Sequence, residues 1–250
     1  MCQTFSYNPF RMQILVLDRC PRKAARRMRS KKLPGKLLVE AMQLLGKALR
    51  QHGRVDDPNL YDAPNASHPC CIWVASGKDA FLWTLKHARE CHSIFDRHIR
   101  KRCDRCRGFK SKPHASLKAL EHLEAIVRDG ALPASLPEIA DPDVFYDTVR
   151  AKRAAQPPAA QRKSGAVIRP SAGLPTGCAS MALAIDGEHQ KTCLRYNEDG
   201  GVDGIESYNA YHQSKFPDDS DATWADPASD ERMPTHDCAC ARRCTSKLCD

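Results

Sequence analysis

Three groups of residues in this 250-residue chain have the types and spacing to do chemistry. The first is Glu40, four residues after Lys36 in "GKLLVEAMQLL". On a helix the two side chains are neighbours, so Glu40 reads either as the surface partner of Lys36 or as a carboxylate placed to move protons. The second group is thiol-rich. His236, Cys238, Cys240, Cys244 and Cys249 fall within 14 positions of the tail, and Cys103 and Cys106 form a C-x-x-C. Thiolate and imidazole are the donors zinc selects, so a structural zinc site is one reading and unpaired thiols are the other. The third is His68, ahead of Pro69 in "NASHPCCIW": an imidazole at a cleft, or a hydrogen-bonding loop residue.

Around these lies a concentration of positive charge. Arg19, Arg22, Lys23, Arg26, Arg27, Arg29, Lys31, Lys32 and Lys36 fall within eighteen residues. A second block contains Arg100, Lys101, Arg102, Arg105, Arg107, Lys110 and Lys112. Residues 1–125 hold 25 Lys/Arg against 11 Asp/Glu, whereas residues 126–250 hold 14 against 19, giving the net +9. A surface this polarised suits a phosphate backbone, and two blocks at the ends of different helices could grip both strands of a DNA duplex. The candidate DNA contacts are Arg22, Lys23, Arg26, Arg27, Lys32, Lys36, Arg102, Arg105, Arg107, Lys110 and His114. Aromatic interleaving is sparse, with Phe109 alone in the second block, which argues against a stacking platform for single strands.

The elements that must position these groups read as mainly α: a compact helical domain with a loop-rich C-terminal extension. Pro21 opens a helix over residues 21–29. After a Leu33-Pro34-Gly35 break, a helix over about 36–50 places Leu38, Met42, Leu45 and Leu49 on one stripe and Lys36, Glu40, Gln43 and Lys47 opposite. A loop follows over 51–70. Ser76 and Asp79 resemble a capping box for a helix to about residue 100, with Phe81, Leu85, Ala88, Phe95 and Ile99 inward. A basic insertion covers 101–113. A helix from Ser116 to Arg128 buries Leu117, Leu120, Leu123 and Val127 and stops at Gly130. A short helix is expected near 143–154 and another near 203–215, carrying Tyr208, Tyr211 and Lys215. The division is a core over 1–154, a Pro/Ala-rich linker or mobile loop over 155–177, a closing helical segment over 178–226 and a Cys-rich tail over 227–250.

With no signal peptide and no run near the roughly 20 apolar residues of a membrane span, a soluble intracellular protein is expected. Thirteen cysteines, an odd number, argue against a full disulfide framework.

The order of "QTFSYNPFRMQILVLDRCPRKAARRM", "GKLLVEAMQLL", "SHPCCIW" and "KPHAS" resembles a phage and bacterial family labelled pyrimidine-dimer DNA glycosylase-like, akin to endonuclease V. "IESYNAYHQSK" and "DATW" extend the resemblance, which spans about 1–130 and 178–224 and omits the linker and tail. It implies a helical enzyme that attacks the sugar of a damaged pyrimidine nucleotide with an N-terminal amine, assisted by a glutamate, without a catalytic cofactor. Glu40 stands where that glutamate would be. Cys2, after removal of Met1, would replace the N-terminal Thr of the characterised enzymes, with His68 also in the cleft. The alternatives are a phage-type DNA base-modifying transferase, with His68, Lys36 and Tyr211 on substrate, and a non-enzymatic, zinc-stabilised nucleic-acid-binding protein.

Overall fold

Proline, glycine and short side-chain caps decide where the helices begin and end. A computed structural model describes residues 17–28, 32–63, 68–100, 109, 111–140, 147, 150–151, 154–155, 167–168, 183–184 and 193–215. Helix α1 (Pro21–Arg26) starts on proline, as the sequence indicates, and Asp18 Oδ1 turns the chain into it by accepting from Cys20 N at 2.9 Å. Helix α2 (Leu33–Gln51) begins three residues earlier than its periodicity suggests, with Pro34 inside the first turn. A first-turn N–H has no carbonyl four residues back, so proline forfeits no bond there and presets the backbone. The expected break is therefore the start of the helix.

Helix α2 is the central rod. The expected stripe of Leu38, Met42, Leu45 and Leu49 is fully buried, but Leu37, Ala41, Leu44 and Ala48 are buried as well. Two adjacent buried columns mean that α2 is packed on two sides. Gly46 makes one of these contacts: a Cβ there would overlap the carbonyl oxygen of Tyr61. The helix ends at Gly53 (φ +107°), with Arg54 N donating to Leu49 O at 3.0 Å. Helix α5 (Leu117–Arg128) ends the same way at Gly130 (φ +66°), with Ala131 N donating to Ile126 O at 2.9 Å. Both are left-handed glycine caps of the Schellman kind.

Helix α3 (Pro69–Ala75) and helix α4 (Lys78–Ile94) form the next layer. The expected capping box is absent. Ser76 Oγ instead donates back to Trp73 O at 2.7 Å, at the C-terminal end of α3, and Gly77 occupies the N-cap of α4. Asp79 Oδ1 accepts from Ala80 N at 2.8 Å and from Ala140 N at 2.7 Å, tying α4 to the segment after α5. Trp73 and Trp83 meet edge to face at 6.3 Å in the core, and Trp83 Nε1 donates to Arg19 O at 3.1 Å. Each fully buried side chain of this size contributes about 1.5–3 kcal/mol. The α4 rod continues into a π-helical turn, Phe95–Ile99, so the helical path does run to residue 99.

Val167–Ile168 (β1) and Leu183–Ala184 (β2) form a two-residue antiparallel pairing. Helix α6 (Gly204–Lys215) lies where a helix is expected. Tyr211 packs with Cys193 in a small separate cluster. Helix α6 is joined to the main body by Asn209 Nδ2, which donates to Leu17 O at 3.2 Å. The protein is mainly helical, in agreement with the sequence reading. Asp147, Arg150, Ala151 and Ala154 have helical backbone within the span expected near 143–154. Residues 1–16, 101–108 and 216–250, and most of the linker, lie outside the described residues. Among those described, no helix is long and apolar enough to cross a membrane.

Candidate functional site

Several charged side chains on α2 and α4, Glu40 and Glu90 among them, are drawn inward, while Lys36 and Lys86 stay exposed. Glu40, expected on an exposed face, has a side chain only 12% exposed, while its partner Lys36, 3.5 Å away, is 51% exposed. The helical period correctly places Glu40 opposite the leucine stripe. What it cannot show is that this face, too, is partly covered.

One residue before Lys36, Gly35 brings the start of α2 against the end of α4. A Cβ at Gly35 would stand 3.4 Å from the Phe95 ring and 3.5 Å from His114 Nε2. Phe95 and His114 are in turn edge to face, 4.9 Å between centroids. Beside this contact lies a set of buried polar groups spaced by four along the end of α4. His92 Nε2 is 3.8 Å from Asp96 Oδ2, and Arg100 Nη1 is 3.9 Å from Asp96 Oδ1. All three residues are less than a tenth exposed. The π-helical turn carries Asp96 within this group, and such turns recur at functional positions in helices.

Burial favours the neutral imidazole here. It holds His92 below the ordinary histidine range, with the Asp96 carboxylate pulling the other way and Arg89 and His114 reinforcing the shift. His114 is likewise lowered by burial, opposed by Asp96. Arg89 is paired with Glu124 on α5, Nε to Oε1 at 2.6 Å, and this bond raises its pKa. Deeper in α4, His87 stacks on Trp83 at 5.2 Å and burial lowers it to about 4. Its neighbour Cys91, with Sγ 3.6 Å from His87 Nδ1, is pushed up, so this thiol stays protonated.

Two nominated histidines have structural hydrogen bonds. His68, 6% exposed, is the N-cap of α3, its Nδ1 accepting from Cys70 N at 3.2 Å. His114 lies two residues before the N-cap of α5, Ser116, and its Nδ1 accepts from the Ser116 N–H at 3.2 Å. At His68 the imidazole does what Asn or Asp commonly does at a helix start, and at His114 it closes a turn just ahead of one.

The basic residues divide similarly. Arg22, Lys23 and Lys32 are exposed. Arg27 bonds Leu17 O at 3.0 Å and lies 3.2 Å from Asp18. Arg26 Nε donates to Glu90 Oε1 at 2.7 Å, joining α1 to α4. Arg100, placed with the second basic block from its sequence neighbours, turns inward. Its Nε donates to Ser111 O at 2.7 Å and its guanidinium lies 3.8 Å over the Phe109 ring. Cys2, Arg102, Arg105, Arg107, Lys110, Cys103, Cys106, His236, Cys238, Cys240, Cys244 and Cys249 lie outside the described residues. Among the described residues no group of three or more His, Cys, Asp and Glu could hold a metal ion, and Cys20, Cys70, Cys71, Cys91 and Cys193 are not in disulfides.

The sequence reading overlooked His92 and Asp96. The signal that could have found them is the four-residue spacing of His92, Asp96 and Arg100 at the end of an apolar helix. Comparison with family models, with curated proteins and with solved structures finds no match to this chain.

Proposed function

We propose that this protein binds double-stranded DNA and processes a damaged or modified pyrimidine as a DNA glycosylase/AP lyase, with Glu40 as the carboxylate that moves protons. The observation that supports this reading is the withdrawal of Glu40 from solvent beside an exposed Lys36. An exposed i,i+4 pair on a helix contributes only about 0.2–0.5 kcal/mol. Drawing a carboxylate out of water costs more than that, so helix stability is a poor reason for its enclosure. A carboxylate held in a low dielectric next to a cation is suited to stabilising a cationic sugar and transferring its protons.

In this reading Arg22, Lys23 and Lys32 supply phosphate contacts, and the α-amine of Cys2 after removal of Met1 is the nucleophile. The amine nitrogen bonds to C1′ as the glycosidic bond breaks, and the base leaves with that electron pair and a proton. Ring opening gives a Schiff base, and loss of a C2′ proton then expels the 3′ phosphate by β-elimination. No metal enters these steps. The cysteine-rich tail, with Cys103 and Cys106, is assigned a structural zinc, for which metal analysis of the purified protein is the test.

Borohydride trapping on duplexes bearing an abasic site or a pyrimidine dimer tests the enzyme. A covalent adduct that disappears when the N-terminus is blocked is the expected result. Salt-sensitive binding with neither adduct nor strand scission would overturn catalysis and leave a DNA-binding protein, a reading favoured by the structural hydrogen bonds of His68 and His114. Reaction only in the presence of a nucleotide or modified-base donor would point to a transferase.

A further inference from the structure

The corner where α2 ends against α3 holds a serine and a histidine that the function proposed above does not use. His52 is the C-cap of α2 and is half-buried. Its Nε2 lies 2.8 Å from the carbonyl oxygen of Ala75, the last residue of α3, and its Nδ1 lies 3.2 Å from Ser135 Oγ. A carbonyl only accepts, so Nε2 carries the ring proton, and the neutral imidazole meets Ser135 through the lone pair of Nδ1. The Ser135 hydroxyl then donates to that nitrogen; its other acceptor, the carbonyl oxygen of His52 itself, is farther, at 3.4 Å. The serine is held in place. Leu136, 1% exposed, anchors the chain beside it, Leu136 N donates to Pro133 O at 3.1 Å, and Lys78 N donates to Pro137 O at 2.7 Å. Arg54, whose Nη1 faces Asp57 at 3.8 Å, also brings a guanidinium to this segment, Nη2 donating to Ala131 O at 2.7 Å. Ser135 itself is exposed, where a substrate can reach it.

We propose that Ser135 is a nucleophile, with His52 as its general base and the Ala75 carbonyl orienting that base, and that its substrate is a small ester with a short apolar acyl group. A hydroxyl is a weak nucleophile until a base takes its proton, and the diagnostic arrangement is hydroxyl, base and orienting acceptor in hydrogen-bonded sequence. The step is acyl transfer. Ser135 Oγ bonds to the acyl carbon while its proton passes to His52 Nδ1. The C–O bond to the alcohol then breaks, and the alcohol leaves with that electron pair and the proton from Nδ1. Water follows the same path, giving a proton to Nδ1 as it attacks, and the acid leaves as Ser135 recovers that proton. The Ala75 carbonyl holds Nε2–H throughout and favours the imidazolium that forms. Arg54 supplies positive charge on this segment, which favours the oxyanion developing on the acyl oxygen. The apolar acyl group suits Val55, three residues beyond His52, and Ile139, four beyond Ser135, which are 60% and 66% exposed. A histidine that only stapled α2 to α3 would need no more than its bond to Ala75 O. An exposed hydroxyl bonds water equally well, so the second bond adds little to stability, yet it is the one the chemistry requires.

The test treats the full-length protein with a fluorophosphonate ester, whose fluoride leaves as Oγ bonds to phosphorus, and locates the adduct by peptide mass mapping. Hydrolysis of 4-nitrophenyl acetate is followed alongside, with circular dichroism checking the fold of Ser135→Ala and His52→Gln. An adduct on Ser135 is expected, and none at all in Ser135→Ala. His52→Gln keeps an amide able to donate and accept but cannot take up the serine proton. Labelling and ester hydrolysis are expected to fall in it by about 10²-fold or more. No adduct on Ser135, or labelling of folded His52→Gln at the wild-type rate, would leave His52 a structural staple and overturn the proposal. Should a variant fail to fold, the wild-type protein decides. An adduct that forms on Ser135 in the native protein and not in denaturing urea upholds the proposal, and equal labelling in both rejects it. DNA takes no part in this assay, so its outcome stands apart from that of the borohydride trapping.

Discussion

Arg26 and Glu90, 64 residues apart, share a 2.7 Å hydrogen bond that fastens α1 to the C-terminal half of α4. Their side chains are 21% and 11% exposed, so the pair is shielded enough to matter energetically. Removing either partner strands the other in a poorly solvated position. Arg26→Gln and Glu90→Gln are each expected to lower unfolding free energy by about 1–2 kcal/mol, with a coupling of about 1 kcal/mol in a double-mutant cycle. Urea denaturation of the four proteins measures it. A coupling indistinguishable from zero would show that solvent screens the pair.

His87 makes stability depend on pH. It is lowered from an ordinary 6.5 to about 4 by burial, so the unfolded chain binds a proton that the folded one refuses. Its contribution is fully present above about pH 6.5 and is lost as pH falls toward 4, about 3 kcal/mol in all. The same direction holds for His92 and His114. His87→Phe keeps a ring against Trp83 and should flatten the stability profile between pH 4 and 6.5. An unchanged profile would assign the acid sensitivity to other groups.

Gly46→Ala tests whether α2 touches the loop as closely as the structure has it. In an exposed helix this change stabilises by about 1 kcal/mol. Here the new methyl would overlap the Tyr61 carbonyl and stand 3.0 Å from its nitrogen, both backbone atoms that cannot swing aside. A net loss of about 1–3 kcal/mol is expected, read by thermal or urea unfolding. A stabilised variant would mean that the segment around Tyr61 yields.

On the function proposed above, Glu40→Gln separates catalysis from binding. It keeps the shape of the side chain beside Lys36 and removes its charge. Strand scission on an abasic duplex should fall by about 10²–10⁴-fold with duplex affinity nearly unchanged. Equal loss of both, or of neither, would return Glu40 to the role of an ion-pair partner.

What the sequence reveals here is what depends on near neighbours. Pro21 starting α1, the stripe from Leu38 to Leu49 and the stop at Gly130 all follow from backbone rules acting within one or two turns. A Pro-Gly pair serves equally as a break and as a first turn, so periodicity alone starts α2 three residues late. The Ser76 hydroxyl can bond forward or backward along the chain, and only the Trp73 carbonyl in the folded chain decides. Pairings such as Arg26–Glu90 and Asp57–His122, the latter 2.7 Å apart, depend on how helices pack and leave no local trace. For the same reason a helical wheel gives Glu40 its face but not its enclosure, and Arg100 its basic neighbours but not its inward turn.

The bond from Asn209 to the carbonyl of Leu17 spans 192 residues, far more than the helix pairings of the main body. Closing so long a loop carries a large entropic cost, whereas α2, α3 and α4 lie close together in sequence. On the ribosome these three helices emerge and can collapse long before Asn209 is synthesised. Leu17 thus waits for this partner, and among the described helices α6 is expected to be fastened last. Pulse-labelled hydrogen exchange during refolding should show amides of α2 and α4 protected before those of α6. Simultaneous protection would mean that assembly proceeds in a single cooperative step.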